Sequence, residues 1–227
     1  MLIGCNKWME KMYKFKQIIG LLCFFALPVA TCAEELELHG VVAEKVVYKG
    51  RSATRVTEVQ ISNADDKVAI LVDSEMRDGT ISGYVSGTPR KDAGQQARGF
   101  VGNAFRINDD VSAFEAFYLR PTNARAEDQL RRNHSVQYIS HPDYPWYRLR
   151  KDSPGKYESY ADMLPGEWVH YRIVVKGERA KLYLNHAEQP TLIVNDLKLG
   201  KGSGRVGLWI GPGTQAHFSV VGIEAQN

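Results

Sequence analysis

Between Arg120 and Arg150 the chain concentrates side chains that bind or move protons. It holds Arg120, Arg125, Arg131 and Arg132, with Asp128, Gln129, Gln137 and the histidines His134 and His141. It also holds the aromatic residues Tyr138, Tyr144 and Trp146. Guanidinium and amide groups present planar hydrogen-bonding edges, and aromatic rings present apolar faces. Together these are the two surfaces a sugar offers a protein, and a few convergent polar groups in a concave site are the general form of a ligand pocket. His134 and His141 titrate near neutral pH, as a general acid or base must. Glu115 stands just upstream in Ser112-Ala113-Phe114-Glu115-Ala116-Phe117-Tyr118. The candidate catalytic groups are Glu115, His134, Tyr138 and His141. The candidate substrate-binding groups are Arg120, Arg125, Asp128, Gln129, Arg131, Arg132, Gln137, Tyr144 and Trp146. The competing structural role for the arginines is ion pairing within the segment, to Glu127, Asp128 or Asp143.

Metal chemistry has thin support. Asn63-Ala64-Asp65-Asp66 offers oxygen donors of the kind Ca²⁺ takes, but an acidic cluster of this size is also an ordinary turn. The His and Cys spacings of a structural zinc site are missing, as is a phosphate-cradling glycine loop leading into a helix. The expectation is a site without metal or cofactor.

These residues need a scaffold, and the strand signals supply one. Short runs rich in Val, Ile, Tyr, Phe and Thr recur at Val41–Tyr48, Ala53–Gln60, Val68–Val72, Thr80–Val85, Gly99–Ile107 and Ala113–Leu119. They resume at Trp168–Val175, Ala180–Leu184, Thr191–Val194, Arg205–Ile210 and His217–Ile223. In the run from Trp168, His170 and Arg172 share one face while Val169, Tyr171 and Ile173 take the other. Turn residues such as Lys49-Gly50, Asp78-Gly79 and Lys176-Gly177-Glu178 punctuate the runs. Many short strands at this spacing predict an all-β sandwich or jelly roll. The helical period is weak after the first 33 residues, the best segment being Ala124–Arg132. The stretch from Pro121 to about Pro154 therefore reads as a long loop. Its aromatic content argues for an ordered, functional loop folded over the sandwich rather than disorder.

The chain has 227 residues, with 29 Lys+Arg, 26 Asp+Glu and three cysteines. All three cysteines, four of the lysines and one glutamate lie in residues 1–33. Without that segment the charge balances, so net charge does not suggest a nucleic-acid surface. Residues 1–33 read as a secretory signal peptide: a basic start to Lys16, an apolar run from Ile18 to Val29, and Ala30-Thr31-Cys32-Ala33. The apolar run is too short to span a bilayer. Cleavage after Ala33 releases a free protein. Val29-Ala30-Thr31-Cys32 is also similar to a lipoprotein box, in which Cys32 is acylated, although Thr31 departs from the small residue usual there. The expected layout is a signal peptide over 1–33 and one domain over 34–227. The expected location is outside the cytoplasm, periplasmic or secreted, with a lipid anchor at Cys32 as the alternative. No later segment is long and apolar enough for a transmembrane helix.

Several motifs carry a family resemblance. They are Pro165-Gly166-Glu167-Trp168-Val169-His170-Tyr171-Arg172-Ile173-Val174-Val175, then Ala180-Lys181-Leu182-Tyr183-Leu184-Asn185, Gly204-Arg205-Val206-Gly207-Leu208-Trp209, and Phe218-Ser219. The set resembles the C-terminal half of concanavalin A-like jelly rolls, and is most similar to the 3-keto-disaccharide hydrolase (family 16 glycoside hydrolase-like) domains. The resemblance covers about residues 36–226. It implies a concanavalin A-like jelly-roll β-sandwich, Trp168 in the core, and Gly207 and Gly211 required by the backbone. It also implies a role with an oligosaccharide or polysaccharide ligand. Family 16 enzymes carry Glu, Asp and Glu at alternating strand positions, and this chain has no such run. A retaining mechanism needs two carboxyl groups about 5 Å apart, and Glu115 has no evident partner. A 3-keto sugar would need less, because the ketone acidifies the neighbouring C–H and one base with one oxyanion stabiliser suffices. Polysaccharide lyases on the same jelly roll are a further likeness: His134 and Gln137-Tyr138 resemble their residue types without matching their motifs. The readings left open are a glycoside-hydrolysing or eliminating enzyme, a non-catalytic carbohydrate-binding module, a lyase and a structural envelope domain.

Overall fold

The computed structural model describes residues 35–62 and 66–226. The expected leader, with its Cys32, and Asn63–Asp65 of the acidic turn lie outside the described residues. Fourteen strands form two antiparallel sheets of seven. In chain order they are β1 (Leu36–His39), β2 (Val41–Tyr48), β3 (Arg51–Glu58), β4 (Val68–Leu71), β5 (Asp78–Pro89), β6 (Val101–Ile107) and β7 (Phe114–Leu119). After a 3-10 turn at Pro121–Asn123 and helix α1 (Gln129–Asn133) come β8 (Val136–His141), helix α2 (Trp146–Asp152) and β9 (Glu158–Ser159). The chain ends with β10 (Val169–Lys176), β11 (Arg179–Leu184), β12 (Leu192–Val194), β13 (Arg205–Ile210) and β14 (Thr214–Gln226).

The first sheet runs β1-β4-β13-β6-β7-β8-β9 and the second β12-β11-β10-β5-β14-β3-β2. Half of the neighbouring strand pairs, among them β4-β13, β13-β6 and β5-β14, join strands far apart in sequence, as in a jelly roll. Alternate residues of the two inner faces, among them Val56, Ile81, Phe105, Phe117, Ile173 and Phe218, interlock as the main core. The period-2 pattern in β10 is realised, with Val169, Tyr171, Ile173 and Val175 buried. The fold is thus the expected all-β jelly-roll sandwich.

The first sheet is also apolar on its outer face, where Ile70, Ala104, Phe114, Ala116, Ile139 and Trp209 form a second buried cluster. Close approach there explains two glycines: a Cβ on Gly207 would run into Val68 Cγ2, and one on Gly211 would lie 2.7 Å from Phe100 Cβ.

The sequence reading needs correction in three places. The stretch after Pro121 is not one loop, because β8 lies inside it and pairs with β7 along its whole length. Its inward residue Tyr138 is polar at its tip and its flanks are charged, which masked the alternation. Secondly, the helix expected over Ala124–Arg132 is the shorter α1, capped by Asp128, which accepts the Arg131 N–H at 2.9 Å; helix α2 was not foreseen. Thirdly, Trp168 is not in the core but half-buried, edge-on to Tyr48 at 5.6 Å and to His217 at 6.5 Å.

His217 lies flat on Tyr48, ring centroids 3.7 Å apart, and is only 2% exposed. Burial, aided by Arg55, pushes its pKa from the ordinary 6.5 to about 4. A histidine with a depressed folded pKa binds its proton more readily when unfolded. Its contribution to stability is therefore complete above pH 6.5 and lost as pH falls toward 4. The urea midpoint should fall across that window, and less steeply in His217→Phe; parallel profiles would assign the acid sensitivity to other groups.

Candidate functional site

A cleft of about 870 Å³ opens on the outer side of the first sheet. Its base is aromatic: Phe100 ahead of β6, Tyr118 on β7 and Trp209 on β13. One wall is the 94–98 segment with Arg98, and the facing wall is Asn123, Asp128, Leu130 and Arg131 from the turn and α1. His134, Trp146, Tyr147 and Arg150 complete the rim.

Local folding explains how α2 presents its residues. Leu149 is buried and anchors the helix. Trp146 and Arg150, four residues apart, then share a face. The Arg150 guanidinium carbon sits 4.7 Å from the Trp146 ring centroid. Glu158 on β9, 7% exposed, holds Arg150 with bonds of 2.9 and 2.7 Å to its two carboxylate oxygens. Trp146 stays 37% exposed at the rim, with Tyr147 edge-on to it at 5.7 Å.

Arg120, at the end of β7, is 5% exposed. It donates to Tyr118 Oη at 2.7 Å and to the His134 carbonyl at 3.2 Å, and its guanidinium lies 5.4 Å from the Trp146 centroid. Arg131 donates to Asn123 Oδ1 at 2.9 Å. His134 Nε2 is 3.6 Å from Glu158 Oε1. Burial lowers the His134 pKa; Arg150 and Arg120 act in the same direction, and Glu158 and Asp128 oppose them. The imidazole is therefore neutral at pH 7, the form that accepts a proton.

Of the candidates read from sequence, Arg120, Asp128, Arg131, His134 and Trp146 meet in this cleft. The others do not. Glu115 faces the interior between the sheets with no exposed surface. It accepts Tyr138 Oη–H at 2.7 Å, the Leu199 N–H at 3.1 Å and Arg106 Nη1 at 3.3 Å. Burial raises its pKa despite these partners, and burial likewise raises Tyr138. Both lie in an internal polar junction that ties the 198–200 segment to β7 and β8, away from the cleft. Gln137 is also fully buried and donates to the carbonyls of Tyr138 and Tyr157. His141 stacks on Phe114 at 4.8 Å at the end of β8. Tyr144 bridges back to Ser140 and lies under Arg148. Arg125 pairs with Asp162 at 2.7 Å, Arg132 contacts Tyr160, and Gln129 bonds Asn133, none of them lining the cleft.

Sequence reading missed Arg98, Phe100, Tyr118, Asn123, Tyr147, Arg150 and Trp209. The i,i+4 spacing from Trp146 was a usable signal for Arg150, and Tyr147 adjoins Trp146 in sequence. The rest come from three distant segments that only the sheet order brings together.

No protein-family model and no curated protein matches the sequence. Solved structures do. The carbohydrate binding module CBM66 from Bacillus subtilis is similar over 83% of this chain and 98% of its own, with a TM-score of 0.54 and 13% identity. A Bacillus subtilis protein of unknown function with a galectin-like fold is similar over 84% of this chain and 89% of its own, with a TM-score of 0.51 and 10% identity. At such identities the likeness is one of architecture, and it places the described chain among galectin-like jelly-roll sandwiches.

Proposed function

We propose that the protein binds an oligosaccharide or polysaccharide in the cleft on the outer side of the first sheet. The observation that carries this reading is the convergence of exposed and half-exposed aromatic rings (Trp146, Tyr147, Phe100) with planar donors (Arg98, Asn123, Arg131) around one open volume. Rings of this kind take the apolar faces of a pyranose, and the planar donors take its hydroxyls. The shared architecture with a carbohydrate binding module supports the same reading.

The lining includes one carboxylate, Asp128, which caps α1. That set does not supply the two facing carboxyls of a retaining or inverting glycosidase. A binding role follows more directly than hydrolysis. A second reading, elimination from a 3-keto-glycoside, is favoured by His134, a neutral base on the same rim as Arg120 and Arg131. Neither reading calls on a metal or cofactor.

Calorimetric titration with a panel of oligosaccharides, run beside a product assay on glycosides and 3-keto-glycosides, tests both. Binding without turnover is the expected result. Turnover that disappears in His134→Ala would replace the binding role with the catalytic one, and a panel with neither binding nor turnover would remove the carbohydrate reading.

We also propose export directed by residues 1–33. Mass spectrometry of the protein recovered from cells distinguishes its forms: a start at Glu34 is the free protein, and an acyl mass on Cys32 is the anchored one. An intact first 33 residues would overturn export by this route. No helix among the described residues is long and apolar enough to cross a membrane.

A further inference from the structure

The charge in the cleft is unbalanced, and the imbalance is local. Many of the chain's other arginines sit on carboxylates: Arg55 on Glu44, Arg90 on Asp92, Arg125 on Asp162 and Arg150 on Glu158. Arg98, Arg120 and Arg131 do not. Among the described residues none of the three has a carboxylate within ion-pair distance, and their guanidiniums bond to neutral oxygens instead. Arg98 donates to the carbonyls of Gln95 and Ala97. Arg120 donates to Tyr118 Oη and the His134 carbonyl, and Arg131 to Asn123 Oδ1. Asp128, the carboxylate on this wall, is engaged by a backbone N–H.

Buried charge is ordinarily paired, because removing it from water without a partner is costly. Arg120 is almost fully buried, and among the described residues its compensation besides those two bonds is the ring surface of Trp146, Tyr118 and Phe100. The three cations also feel one another: Arg98 is held below the usual guanidinium range by burial first, then by Arg131 and Arg120. A low-dielectric wall lined by charge of one sign concentrates its field in the opening.

We propose that the cleft selects saccharides bearing an anionic substituent, a uronate carboxylate or a sulfate ester, which Arg98, Arg120 and Arg131 hold while the aromatic rings take the sugar faces. This rests on the carbohydrate reading above and names the ligand class within it. The planar fork of a guanidinium fits the paired oxygens of either oxyanion. Three such groups with no internal counter-ion leave the positive charge available to a ligand.

The test is a matched-pair titration on the full-length protein. One arm compares oligogalacturonate with its methyl ester, and the other compares a sulfated galactan oligosaccharide with its desulfated form. In at least one arm the anionic member should bind about tenfold tighter or more, with the ratio shrinking as salt rises. That ratio should fall toward one in Arg98→Gln and in Arg131→Gln, whose side chains are half-exposed and exposed, so that folding is retained. Arg125→Gln removes the same charge outside the cleft and should leave the ratio intact. The arm that responds identifies the oxyanion. Equal binding of charged and neutral members in both arms would overturn the anion preference and leave carbohydrate binding standing. A ratio that survives both cleft substitutions would also overturn it, since the anion would be read elsewhere. Failure of every member to bind would overturn both readings.

Discussion

Trp146→Ala should weaken saccharide binding by about 10- to 100-fold, roughly 1.4–2.8 kcal/mol, with little change in thermal stability. Two losses combine in this one substitution. The first is the ring itself, 37% exposed at the rim of the cleft. Aromatic anchors in partly dry sites carry a disproportionate share of binding energy. The second is the shelter it gives Arg120, whose guanidinium lies 5.4 Å from the ring centroid. Without the indole, water reaches that cation and screens its interaction with whatever occupies the cleft. Stability should hold, because Leu149 anchors α2 and Arg150 keeps its carboxylate, Glu158. Trp146→Phe should recover part of the affinity. A Trp146→Ala protein that binds like the parent would show that the ligand lies elsewhere.

Glu115→Ala should do the opposite, costing about 3–5 kcal/mol of stability, the range for breaking a buried ion pair from one side. For a chain of this size that corresponds to a fall in Tm of about 6–20 °C. Glu115 and Arg106 are each essentially without solvent exposure. Arg106 also spans the interior to the carbonyls of Gly200 and Gly177. Removing the carboxylate takes away the closer of the two carboxylates near that guanidinium, Asp78 being 3.8 Å from it, and leaves the Tyr138 hydroxyl and the Leu199 N–H without their acceptor. Tyr138→Phe takes away one of these bonds and should cost less, about 1–3 kcal/mol. The two effects should be non-additive, since the groups share one network. Thermal unfolding of the single and double variants measures this. A Glu115→Ala protein with parental Tm but no turnover on a glycoside would return Glu115 to the catalytic role that its isolation in the sequence first suggested.

Trp146 and Glu115 also show what the sequence conveyed about placement and what it did not. Trp146 and Glu115 looked alike as candidates: each is a chemically able residue in or next to the Arg-rich stretch. What separates them is strand parity. Glu115 alternates with Phe114 and Ala116, so in β7 it points between the sheets, whereas Tyr118 and the chain beyond Leu119 turn toward the outer side. Parity cannot be assigned until one knows which face of the strand meets the second sheet. In β7 both faces are buried, so the apolar pattern does not say.

The alternating runs and turn residues determined the all-β sandwich directly, because a period of two demands a surface with one buried side. The cluster of arginines, His134 and Trp146 also lies in a stretch of chain from which Arg120, Asp128, Arg131, His134 and Trp146 come together around one cleft. Tertiary structure alone decided the membership of the site. Arg98, Tyr118, Trp209 and Trp146 are neighbours only because β13, β6, β7 and β8 lie side by side in the first sheet, an order set by long-range pairing. It also decided which arginines are free to meet an anion. Arg125 and Arg150 find carboxylates in Asp162 and Glu158, whereas among the described residues Arg98, Arg120 and Arg131 find neutral oxygens. Charge pairing depends on distances of a few ångströms that the folded backbone sets, and composition carries no record of them.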